Sequence, residues 1–133
     1  MINWEIEAPQ IYEQSLLHGV DPLFIATIRK VENGDTIKKA YGVMNPKINT
    51  YPSQLQVCCA TVRDRVVKFP ENPLKNLYFG YGTRACYSSE FIQEFQIHWA
   101  PILVENDPNH LNENWLTNAL NIYSAICARG SIG

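Results

Sequence analysis

Apolar positions along this chain fall in blocks set apart by turn-forming residues, and within the blocks they recur at helical spacing. The densest block is Leu23, Phe24, Ile25, Ala26, Ile28 and Val31, preceded by Asp21 and Pro22. Asp21 can cap a helix with its side-chain oxygen, and Pro22 fills a first-turn position that needs no N–H, so a helix starts there. Its apolar residues cover most of the circumference, which predicts packing on more than one side. The helix runs to about Val31 and delivers Glu32 to the loop Asn33, Gly34, Asp35 and Thr36, all turn formers that reverse the chain.

The same periodicity places four more helices. The first spans Pro9 to His18, with Ile11, Leu16 and Leu17 inward and Gly19 as its C-terminal cap. A third spans Ser53 to Lys68, carrying Leu55, Cys58, Val62, Val66 and Val67 on its core side and Arg63, Asp64, Arg65 and Lys68 on a solvated face. Pro70 and Pro73 break the chain. The aromatic, glycine-rich run from Leu74 to Thr83 reads as a short helix entering a loop. Ser88, Ser89 and Glu90 cap a helix to Trp99, with Phe91, Ile92, Phe95 and Trp99 at core spacing, and Leu111 to Ala128 forms the last helix before Gly130. The expected fold is mainly α, with about five or six helices and at most a small irregular β region around residues 40–51.

Composition adds bounds. A chain of 133 residues is expected to form one domain over residues 1–133, and 46% hydrophobic with 18% charged residues makes it globular, not disordered. A net charge of −2 gives no basic footprint for nucleic acid. That balance also counts mildly against a freely diffusing enzyme that attacks acidic walls. The segment MINWEIEAPQ has no signal-peptide pattern and no apolar run is long enough to cross a membrane, so synthesis in the cytoplasm without membrane insertion, or an origin as a piece of a larger chain, is expected. Cys58, Cys59, Cys86 and Cys127 lack C-x-x-C spacing and read as reduced core residues. The polar run Glu105 to Asn114 lacks the acidic alternation and Gly of an EF-hand, so no metal is expected, and no motif implies a cofactor.

Glu32 is the candidate for chemistry. A carboxylate at a helix C-terminus meets the negative end of the dipole, and apolar neighbours desolvate it. Both effects raise its pKa, which suits a general acid near neutral pH. Asp35, the nearest second carboxylate, reads better as a loop cap. His98 has no nucleophile motif beside it. Tyr78, Tyr81 and Tyr87 are candidates for stacking on sugar rings, or equally for filling the core.

The order Gly19-Val20-Asp21-Pro22, Val31-Glu32-Asn33-Gly34, then Tyr41-Gly42-Val43-Met44-Asn45 resembles the lysozyme-like fold of soluble lytic transglycosylases and goose-type lysozymes. A fainter likeness to phage-derived lysozyme-like domains runs from Trp99 to Trp115. Asn33 stands where that family has Ser and Asn45 where it has Gln, and the family's Ala-Tyr-Asn-x-Gly segment has no copy here. The resemblance implies that Glu32 is a single catalytic acid acting on the β-1,4 bond between N-acetylmuramic acid and N-acetylglucosamine of peptidoglycan. Asn33, Gly42, Val43, Met44, Asn45, Tyr78 and Tyr81 would contact substrate in a cleft beside the central helix. Hydrolysis and anhydro-forming transglycosylation stay open. The action would lie at the bacterial cell wall or periplasm, reached by a holin, a virion or a secretion machine. The alternative is a non-catalytic module serving a phage or secretion assembly as a structural or glycan-binding part.

Overall fold

The computed structural model describes residues 2–32, 37–80, 82–100 and 111–132. It is mainly helical: α1 (Trp4–His18), α2 (Pro22–Glu32), α3 (Tyr51–Lys68), α4 (Ser89–Trp99) and α5 (Trp115–Arg129), with 3-10 turns at Ile37–Lys39 and Leu111–Asn114. Strands β1 (Leu74–Tyr78) and β2 (Thr83–Tyr87) form one antiparallel hairpin, with Leu74 paired to Tyr87 and Tyr78 to Thr83.

Start and stop signals act where the sequence has them. Asp21 Oδ1 accepts the Leu23 N–H at 2.9 Å. Gly19 takes the left-handed conformation (φ 66°), and the Gly19 and Val20 N–H groups return to the carbonyls of Leu16 and Ser15. Thr50 and Ser53 form a reciprocal capping box that starts α3 at Tyr51, two residues before the expected start. Ser88 accepts the Phe91 N–H at 3.1 Å.

Three expectations are corrected. First, α1 begins at Trp4 rather than Pro9, and Leu16 and Leu17 point outward at 83% and 71% exposure. The inward residues are Glu7, Ile11 and Ser15, one turn apart. The cause is an ion pair: Arg29 of α2 donates to Glu7 through Nε at 2.7 Å and through Nη2 at 3.3 Å, and this fixes which face of α1 turns in. Second, residues 74–78 are a strand, not a helix. Gly80 (φ 86°) and Gly82 (φ 138°) supply the left-handed backbone of the connecting turn, which the Phe79 N–H closes on the Gly82 carbonyl at 3.0 Å. Third, the described part of residues 40–51 contains a 3-10 exit and loop with no strand.

All positions from Leu23 to Arg29 of α2 are buried. Phe24 is the hub, edge-on to Tyr87, Phe91, Phe95 and Tyr123 at centroid distances of 5.2–6.2 Å. From Phe95 the aromatic packing continues to Trp99 at 5.5 Å and to Trp115 at 6.1 Å, and so reaches the C-terminal end of α2. Helix α5 lies antiparallel to α2, with Tyr123 beside Asp21 and Trp115 beside Glu32. All four cysteines are free and buried. Burial holds the Cys58 thiol well above its usual range and pushes Cys59 up to about 11, so neither thiol is activated. Among the described residues no helix is long and apolar enough to cross a membrane.

Candidate active site

Glu32 is the last residue of α2, and two indoles reach it from far along the chain. Trp99 Nε1, at the end of α4, donates to Oε2 at 2.9 Å, and Trp115 Nε1, at the start of α5, donates to the same oxygen at 2.8 Å. The other oxygen, Oε1, lies against the backbone of Gly42. A Cβ at Gly42 would come within 2.3 Å of Oε1, and Gly42 has φ 74°, so glycine is required twice over. Arg29 of the same helix is committed to Glu7 and the Ala40 carbonyl and makes no pair with Glu32.

Burial pushes the Glu32 carboxyl above its usual range. The two indole N–H bonds, Trp115 first, favour the charged form and offset part of that rise. Because Oε2 accepts both N–H groups, the proton of the neutral acid belongs on Oε1. In the neutral form the hydroxyl therefore stands at the Gly42 turn.

The turn itself is held by Gln54, a fully buried side chain of α3. Its Oε1 accepts the N–H groups of Tyr41 at 3.1 Å and Val43 at 3.2 Å, and its Nε2 donates to the carbonyls of Val43 at 2.9 Å and Ile48 at 2.7 Å. Four bonds thus fix the backbone on both sides of Gly42. Tyr41 is anchored as well, its hydroxyl 2.9 Å from that of Tyr51. Lys39 Nζ approaches the Val43 and Met44 carbonyls at 3.4 Å.

No family model, curated protein or solved structure matches this chain. The site is therefore judged on its own geometry.

That geometry brings together Glu32, Gly42 and Val43. Met44 follows them and stands 70% exposed. Asn45 is exposed and spends its side chain on its own turn, accepting the Lys47 N–H at 3.0 Å. Asn33, Asp35 and Tyr81 lie outside the described residues. Tyr78 is exposed on a hairpin that leads away from Glu32. The base of the hairpin meets Asp21, about 16 Å along α2 from Glu32. Its Arg84 packs at Gly130, the far end of α5. Tyr87 is a core residue, not a sugar contact: it is buried, its hydroxyl accepts the Asp21 N–H at 3.0 Å, and burial pushes its pKa up to about 12. His98 sits on the exposed side of α4 with Glu94. Among the described residues no group of three or more His, Cys, Asp or Glu could hold a metal.

Sequence reasoning missed the Trp99 and Trp115 donors and the Gln54 clamp. Gln54 leaves one faint signal: it is a polar residue on the same ridge as Leu55, Cys58 and Val62, all fully or nearly fully buried. The two tryptophans leave none, since their meeting at Glu32 is a tertiary event.

Proposed function

We propose that this protein cleaves the β-1,4 bond between N-acetylmuramic acid and N-acetylglucosamine in peptidoglycan, with Glu32 as its single catalytic acid. The observation that carries this reading is a carboxyl group desolvated at a helix end, with two indole donors on one oxygen and a bare glycine backbone at the other. The order of Glu32 and the Gly42-Val43-Met44 turn, like that of lytic transglycosylases and goose-type lysozymes, adds to it.

In this mechanism the Oε1 proton passes to the glycosidic oxygen as positive charge builds at the anomeric carbon. The carboxylate left behind already receives two N–H bonds on Oε2, so the new negative charge is stabilised as it forms. Glu32 then takes a proton from water, giving hydrolysis, or from the sugar's own hydroxyl, giving an anhydro end. The substrate's own acetamido group can assist at the anomeric carbon. No cofactor is required.

The test is mass spectrometry of fragments released from purified peptidoglycan by the wild-type protein and by Glu32→Gln. Muropeptides from the wild type alone are the expected result, and their reducing or anhydro ends distinguish the two reactions. Release by both proteins would remove Glu32 as the acid. Release by neither, with chitin oligomers also intact, would assign the chain to a structural or glycan-binding module of a phage or secretion assembly.

A further inference from the structure

A cavity of about 420 Å³ lies at the opposite end of α2 from Glu32, where the α1–α2 junction, α3 and the base of the hairpin meet. Val20, Val66, Pro73 and Leu74 give it apolar walls, and Arg63 and Tyr87 border it with polar groups. Those two groups share a property: each can donate a hydrogen bond that no protein group among the described residues accepts, Arg63 from an exposed position and Tyr87 from a buried one. Arg63 is exposed and pairs with no other protein group among the described residues, and its Nη1 lies about 3.6 Å from where a Gly19 Cβ would stand. The Tyr87 hydroxyl accepts the Asp21 N–H, and its own proton meets no acceptor among the described residues although the residue is only 5% exposed. The cavity's other polar side chains are spent. Asp21 Oδ1 holds the Leu23 N–H and Oδ2 holds the Tyr123 hydroxyl at 2.5 Å, while Asn72 Oδ1 holds the Leu74 N–H at 3.0 Å.

We propose that this cavity is a binding site for a small carboxylate with an apolar body, its charge on Arg63 and Tyr87 and its body against Val20, Val66, Pro73 and Leu74. The volume falls in the range of small-molecule sites, which combine apolar walls with a few convergent polar groups. A buried hydroxyl proton without a protein acceptor and a guanidinium that can exchange its water for a ligand border the same cavity, and a guanidinium selects an anion over a neutral acceptor. The site does not depend on the glycosidase reading, since it shares no residue with the Glu32 turn.

Hexanoate is a suitable probe, with hexylamine and 1-hexanol as chain-matched controls, followed by amide chemical shifts of the whole protein. Saturable shifts confined to Gly19, Leu74 and Ala85 are expected with hexanoate. Arg63→Gln, at an exposed position that leaves the fold intact, is expected to weaken binding about ten-fold, and Tyr87→Phe by less. Equal binding of hexylamine or hexanol, unchanged binding by Arg63→Gln, or no saturation by about 20 mM hexanoate would each overturn the proposal.

Discussion

The two oxygens of Glu32 do different work, and the difference can be measured without any substrate. Oε2 is fixed by the indoles of Trp99 and Trp115, and Oε1 is left at the Gly42 backbone. Burial raises the carboxyl above its ordinary value of 4.5 in the folded protein. Between that value and the folded one the native state binds the extra proton, so stability falls as pH rises through the window and stays lower above it. Glu32→Gln removes this titration while its amide oxygen can still accept both indole N–H groups. The variant is therefore expected to be more stable than the wild type at pH 7 and to lose that advantage below about pH 4. Denaturant unfolding across that range checks it. Equal stabilities at every pH would mean that Glu32 ionises as freely folded as unfolded.

Elements show how much was legible in the chain. Helices α2, α3, α4 and α5 could be read because each buries a ridge of apolar residues; α2, α3 and α4 also carry N-caps at Asp21, Thr50 and Ser88, whereas Asn114 makes no side-chain cap bond and α5 starts at Trp115, after a 3-10 turn over Leu111–Asn114. The hairpin could not. Every residue of β1 is exposed, so no alternation between faces marks it as a strand. The face of α1 was misread for a different reason, since the Glu7–Arg29 pair overrides the leucines that hydrophobicity alone would turn inward. At the site, Glu32 and Gly42 were visible as a local motif, whereas Trp99 and Trp115 arrive from 67 and 83 residues away. Gln54 shows the same limit at short range, because one side chain organises a whole loop. Gln54→Leu should cost about 2–4 kcal/mol by leaving the loop's amides and carbonyls unpaired. Hydrogen exchange should quicken at Tyr41 and Val43 well before it does in α2. A uniform rise across the chain would instead mark Gln54 as a general core residue.

Across the whole molecule, α2 and α5 are tied at both ends by carboxylates. Glu32 takes the Trp115 indole at one end and Asp21 takes the Tyr123 hydroxyl at the other, with Phe24 and its ring of aromatics between them. Tyr123 also accepts the Tyr87 N–H at 2.8 Å, so one hydroxyl joins α2, α5 and the hairpin. Tyr123→Phe keeps the ring and removes both bonds. It is expected to lower stability by about 1–3 kcal/mol, with an unchanged dependence on denaturant because the same surface is buried. A cost below about 0.5 kcal/mol would mean that water or a rearranged Asp21 replaces the hydroxyl.

The tie between α2 and α5 spans 83 residues at one end and 102 at the other. A ribosome produces α2 well before α5, so during synthesis a helix that ends up buried from Leu23 to Arg29 waits without its partner. Closing so long a loop is slow compared with forming the helices themselves. The nascent chain therefore exposes Phe24 and its neighbours until Trp115 and Tyr123 emerge, and in that interval chaperones, proteases and other copies of the chain compete for the surface that α5 later covers.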